Sequence, residues 1–255
     1  MNFFDSNTYL RSIDLKTEKV PSFDEYPFCL PVVRNLTNLP FHPQVTFFVG
    51  ENGTGKSTLL EAIAVAYGLN AEGGSKNFTF ASQETHSDLH DCMRIVKGIR
   101  RAKDSFFLRA ESFYNLATTI DDLDQDGSGP RIIDSYGSRS LHKQSHGESF
   151  FAVFMNRFRG QGIYILDEPE AALSPSRQMS MLSRIHELVK RDSQFIIATH
   201  SPILMAYPDA YIYEIDEAGY MQRVAYEQTE HYRVMKQFLN NTDKMLDLLI
   251  RDGEW

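Results

Sequence analysis

Cysteine is nearly absent from this sequence: Cys29 and Cys92 are the only two in 255 residues. Two thiols so placed make neither a disulfide framework nor a metal knuckle, so the fold must rest on a packed core, for which 255 residues suffice. Long hydrophobic runs are missing too. No apolar stretch reaches the roughly 20 residues that cross a bilayer, and the opening MNFFDSNTYLRSID lacks the basic and apolar zones of a secretory signal. The expectation is a cytoplasmic chain with no transmembrane segment of its own. Positive charge is also in deficit, with 26 basic against 34 acidic residues and a net charge of −8. That argues against a globally basic nucleic-acid binder. Internal repeats, heptads and low-complexity linkers do not occur. One local basic cluster stands out: Arg94, Lys97, Arg100, Arg101 and Lys103. It is read on a helix, either as a solvated face or as a phosphate-tracking patch.

What is present reads as alternating strands and helices. LRSIDLK and PFCLPVV read as early strands. VTFFVG (45–50) is a continuous apolar run, as in a strand buried on both faces. A helix over about 57–67 follows and ends at Gly68. Next come a helix over about 88–103, a strand FFLRA (106–110) and a helix through about 123, closed by the loop DQDGSGP (124–130). The helix after Gly147 carries Phe150, Phe151, Val153, Phe154 and Phe158 as a buried stripe. IYILD and FIIAT are two more apolar strands, separated by a helix with Ser174 as cap and Pro175 at its first position. AYIYEIDEAGYMQRVAY reads as a hairpin turning at Ala218-Gly219, and the tail from about 229 as helical. The fold class is α/β, with a mostly parallel core sheet flanked by helices.

Three strand ends carry chemistry. Gly50-Glu51-Asn52-Gly53-Thr54-Gly55-Lys56-Ser57, followed by Thr58, is a full G-x-x-x-x-G-K-[ST] between a buried strand and a helix. Glycines let backbone N–H groups curl around phosphate oxygens, the lysine reaches the β- and γ-phosphates, and the serine hydroxyl ligates magnesium. The helix N-terminus adds its positive end. IYILDEPE closes its strand with Asp167, placed to hold magnesium through water, and Glu168, placed to polarise an attacking water. IIATHSP puts His200 at the carboxyl end of a third strand, the edge where open α/β sheets bind ligands. At 145–148, Ser145 three residues before Glu148 has the form of a capping box. The string DLDQDG (122–127) mimics the start of a calcium loop, but Ile133 stands where a glutamate should, so calcium is rejected.

In this order the motifs resemble the ATP-binding cassette superfamily of P-loop ATPases, in the manner of soluble single-cassette bacterial ATPases of the AAA/ABC type. The resemblance covers about residues 30–205 and implies ATP and magnesium as cofactors. It also implies a helical signature subdomain (about 86–160), an antiparallel β part, and a C-terminal hairpin and helical tail (about 207–255), all within one domain of 1–255. SHGES then stands in the place of L-S-G-G-Q. Ser145 and Gly147 match the residues that, in that family, meet the γ-phosphate held by a second subunit. His146, Glu148 and Gln144 depart from the pattern. FFLRAESFYN is similar to the strand and Q-loop, putting Glu111 at the glutamine that touches magnesium. EPEAALSP resembles E-P-x-x-x-L-D-P with Ser174 for the D-loop aspartate, and Tyr26 or Phe28 is where an adenine-stacking aromatic is expected.

The 105 residues between Ser57 and Ile163 (58–162) leave no room for long coiled-coil arms. The expectation is therefore an ATP hydrolase with Glu168, His200 and Lys56 as catalytic residues. It would close as an ATP-dependent homodimer and act on an intracellular protein or nucleic-acid partner. Some relatives of that broad group work in DNA repair or phage defence. A transporter's nucleotide-binding subunit with a separate permease and an ATP-gated binding module with negligible turnover are the alternatives. A P-loop kinase fits LDEPE and ATHSP poorly.

Overall fold

The computed structural model describes residues 8–75, 87–110, 118 and 146–251. Its centre is a six-stranded sheet: β3 (Val45–Gly50), β5 (Asp104–Arg109), β6 (Gly162–Asp167), β7 (Gln194–Ala198), β8 (Tyr211–Ile215) and β9 (Met221–Val224). Their order in space is β5-β6-β7-β3-β8-β9. Every pairing is parallel except the last, where β8 and β9 form the antiparallel hairpin expected around Gly219. A second, antiparallel sheet orders as β2-β1-β4, from β1 (Leu10–Leu15), β2 (Leu39–Pro40) and β4 (Met93–Lys97).

Apolar residues on both sides of the central strands explain their burial. In β6, Ile163 and Ile165 face one core, while Tyr164 and Leu166 face the other. The alternation is the two-residue period of a strand with both faces covered. The first core is closed by α2 (Lys56–Tyr67) and the antiparallel sheet. The second is closed by α3 (His146–Arg157), α4 (Pro175–Lys190) and the short α5 (Pro202–Met205). Gln194 joins the two sheets: its buried side chain accepts from the backbone N–H groups of Tyr9 and Leu10 and donates to the carbonyls of Leu10 and His42.

Several expectations hold. Helix α2 stops at Gly68, whose φ of 100° lets it take the left-handed cap that closes the last turn. Ser174 caps α4 by accepting from the Arg177 N–H, with Pro175 in the first turn. Phe150, Val153, Phe154 and Phe158 are fully buried, and Phe151 packs against the same core from a half-buried position. The tail begins with α6 (Glu230–Asn240), capped by Thr229, and continues through α7 (Thr242–Leu246) and a last helical turn over Asp247–Arg251.

Two expectations are corrected. PFCLPVV is not a strand: Pro31 opens α1 (Pro31–Arg34), where a missing N–H costs nothing in a first helical turn. Residues 88–103 are not a helix. A 3₁₀ turn over Asp88–Cys92 leads into β4, which pairs with β1 with Ile95 opposite Ile13 and Arg94 opposite Asp14. The basic residues there are consequently not one helix face. Arg94 bonds Asp14 at 2.7 Å, Arg100 lies 3.3 Å from Asp192, and Lys97 sits over the Tyr67 ring. Of the span assigned to a helical subdomain, 87–110 thus holds a 3₁₀ turn and the two strands β4 and β5, and 146–157 is helix. Apart from residue 118, the span of the helix through 123 lies outside the described residues, as do the loop 124–130 and the rejected calcium string.

Candidate nucleotide site

The parallel register brings the chemistry-bearing ends of three strands side by side. Arg109 of β5 is opposite Asp167 of β6, which is opposite Ala198 of β7. Ala198 is in turn beside Phe48 of β3, two residues before Gly50. The carboxyl ends of the strands are the edge at which open α/β sheets bind ligands, and these residues collect there.

The glycine-rich loop crosses from β3 to α2 over this edge. Gly55 has a φ of 90°, and a Cβ built on it would stand 2.7 Å from Val32 Cγ1, so both its backbone and its surroundings require glycine. Lys56 is buried, with Nζ donating to the carbonyls of Gly50 and Glu51, each at 2.8 Å. Burial pulls its ammonium below the usual lysine range, against the attraction of Glu168, Asp167, Glu51 and Glu170. A cation held among four carboxylates at a helix N-terminus is a surface matched to a polyphosphate with its metal.

Ser57 and Asp167, 110 residues apart in sequence, meet directly: Ser57 Oγ donates to Asp167 Oδ1 at 3.0 Å. This pair of hard oxygens has the chemistry magnesium prefers. Arg109 holds the carboxylate from the other side, with Nε 3.6 Å from Asp167 Oδ2 and Nη1 bonded at 2.7 Å to Glu61 of α2. Neither Glu61 nor Arg109 was expected from the sequence, because each reads there as an ordinary surface charge.

Glu168 follows in a left-handed backbone conformation, φ 47°, with its N–H donating to the Ala198 carbonyl at 3.0 Å. Non-glycine residues seldom adopt this region, at a cost of about 1–2 kcal/mol, and here it turns the side chain to the mouth of the sheet. His200 Nε2 lies 3.5 Å from Glu168 Oε1. Glu170, the second glutamate of the EPE string, is a residue that sequence reasoning missed. It accepts from the His200 backbone N–H at 2.6 Å, and burial raises its carboxyl above the usual range. Burial also lowers the His200 imidazole, helped by Lys56 and His231. His231, on α6, was missed as well, since 31 residues separate it from the ring it touches.

The remaining expectations divide. Ser145 and Glu111 lie outside the described residues. Gly147, at the start of α3, backs against the 171–174 loop: a Cβ there would run into the Ala172 carbonyl oxygen and crowd Arg177. Glycine is needed here for packing, whatever meets the helix end. We expect Gly147→Ala to lower stability by about 1–3 kcal/mol through overpacking, read as a shift of the urea midpoint. Arg177 also approaches Glu148, 3.7 Å away. Phe28 is a buried core residue, and the adenine-stacking expectation is corrected for it. Tyr26 is 67% exposed, with its hydroxyl 3.3 Å from Thr58 Oγ1 at the start of α2, so it alone of the two is accessible to a base.

Comparison with known proteins bears on the family and the fold. Residues 23–195 match the family model AAA_23, described as an AAA domain. No curated protein matches in sequence. Among solved structures, the chain is similar to CbiO1 from Clostridium perfringens, part of the ABC transporter complex CbiONQ. Identity is 16%, the TM-score is 0.51, and 95% of this chain and 100% of that one are covered. It is also similar to a metal-chelate type ABC transporter in an inward-facing conformation (13% identity, TM-score 0.51, 90% and 88% covered). The SMC head domain from Thermotoga maritima matches at a TM-score of 0.40 and 19% identity, with 85% and 98% covered. The fold is that of a P-loop ATPase. Among the described residues, no helix is long and apolar enough to cross a membrane.

Proposed function

We propose, from the premise that the chain belongs to the AAA_23 family of AAA domains, that it binds ATP with magnesium and hydrolyses it. One observation carries this reading: the 3.0 Å bond from Ser57 to Asp167 joins the phosphate loop to the acidic strand end. A glycine-rich turn without a ligand has no reason to place a hydroxyl and a carboxylate together beside a buried lysine.

In this reading the backbone N–H groups of 50–57 cradle the phosphates and Lys56 swings from its two carbonyl acceptors to the β- and γ-oxygens. Ser57 and Asp167 hold magnesium, which when bound neutralises charge developing on the phosphates. Glu168 accepts a hydrogen bond from the attacking water and takes its proton. His200 donates through Nε2 to the γ-phosphate and so senses its departure. The N-terminus of α3, with Ser145 and Gly147, meets the nucleotide of a second copy, so that ATP closes a homodimer and hydrolysis opens it. That motion acts on a protein or nucleic-acid partner.

Phosphate release from ATP by the purified chain tests the reading. Turnover that requires magnesium and falls to background with excess chelator supports it; ATP left intact in the presence of magnesium contradicts it. Duplex DNA added at low salt, where phosphate contacts are strongest, separates the partners: stimulation selects nucleic acid, and no binding selects a protein.

A further inference from the structure

The contact between His200 and His231 has a consequence for the direction in which His200 can act. The rings lie with centroids 5.0 Å apart, and His200 Nδ1 is 2.9 Å from His231 Nε2. A hydrogen bond of that length holds one proton, so one ring donates and the other accepts. The two remaining nitrogens, His200 Nε2 and His231 Nδ1, are buried and make no hydrogen bond to any of the described residues. His200 Nε2 is nevertheless aimed, standing 3.5 Å from the Glu168 carboxylate.

Two neutral arrangements are available. If His200 donated from Nδ1, its Nε2 lone pair would face the Glu168 carboxylate, which is repulsive. His231 would then carry its proton on Nδ1, as a buried donor with no acceptor among the described residues. If His231 donates from Nε2 instead, both penalties vanish. His200 carries its proton on Nε2, toward Glu168, and His231 Nδ1 is a bare lone pair, which costs less to bury than an unmet N–H. A doubly protonated His200 is opposed by burial and by Lys56.

We propose that His231 is a positioning residue: its Nε2–H fixes His200 in the tautomer that presents Nε2–H to Glu168 and to the γ-phosphate. The last part of this proposal rests on the ATPase reading above, while the tautomer itself does not. The C-terminal tail is thereby part of the catalytic apparatus. Its start is anchored for the purpose. Thr229, fully buried, accepts from the Tyr232 N–H, and the Glu230 N–H donates to Glu214 of β8. His231 is consequently held at a fixed point on the first turn of α6.

The test is nitrogen-15 NMR of the histidine rings in nucleotide-free protein, with His200 assigned by its loss in His200→Gln, combined with ATPase kinetics. We expect His200 to be protonated on Nε2 in the wild type. His231→Leu should give mixed tautomers and lower kcat about 10-fold, the loss of one orienting hydrogen bond, with KM within twofold. His231→Gln, whose amide N–H stands in the place of Nε2–H, should restore both. A wild-type His200 protonated on Nδ1 overturns the proposal. So does a His231→Leu protein with unchanged tautomer and kcat. A wild type with the expected tautomer but no ATP hydrolysis would instead remove the ATPase reading and leave the tautomer assignment standing.

Discussion

Lys56→Ala is expected to weaken ATP binding by about 100-fold or more, measured by titration calorimetry with magnesium present. Charge-assisted hydrogen bonds are individually worth about 1.5–3 kcal/mol, and this ammonium would make them to two phosphates at once. Its loss also changes the sign of the site. Asp167, Glu168, Glu51 and Glu170 all act on Lys56 electrostatically; without it they would face the polyphosphate with only the metal to offset them. The folded chain should survive, because the two carbonyls that Lys56 bonds in the absence of nucleotide belong to Gly50 and the exposed Glu51. Affinity equal to the wild type in a protein of native circular dichroism would mean that nucleotide does not sit in this loop.

Glu168→Gln should behave in the opposite way: binding kept within a fewfold and kcat reduced by about 10²–10⁴-fold, the usual contribution of a positioned base. Glutamine has the same shape and tolerates the same left-handed backbone about as well, so the bond from this residue's N–H to Ala198 is retained. What disappears is the oxygen able to accept a proton. The side chain is about 40% exposed, so water reaches it without a rearrangement of the fold. Single-turnover phosphate release separates the two steps, and near-normal turnover would take the role of base away from Glu168.

The parts of this site that the sequence made legible are local. The glycine loop, the acidic end of β6 and the histidine after β7 each follow a run of apolar residues, and their position at strand ends comes from one continuous stretch of chain. Contacts that depend on distant pairing were not legible. Arg94, Lys97, Arg100 and Arg101 are spaced as on a helix, yet Met93 to Lys97 pairs with β1 some 80 residues upstream, and that partner decides the conformation. Arg109, Glu170 and His231 look like ordinary charged or polar residues until the sheet brings 109, 167 and 198 into line. Gln194 reads as a polar interruption of an apolar strand. Only the position of β1 shows that its amide satisfies three backbone groups there and one at His42. Phe28 failed for a related reason: nothing local distinguishes an aromatic that stacks on a base from one that fills a core.

The measurement that tests the central claim most directly is the solution mass of Glu168→Gln with and without ATP and magnesium, beside the same variant carrying Ser145→Arg. A dimer that forms only with ATP and is lost with Ser145→Arg is the predicted result, since hydrolysis is blocked and the helix end of one copy must reach the other's nucleotide. A monomer under every condition, with ATP demonstrably bound, would contradict it.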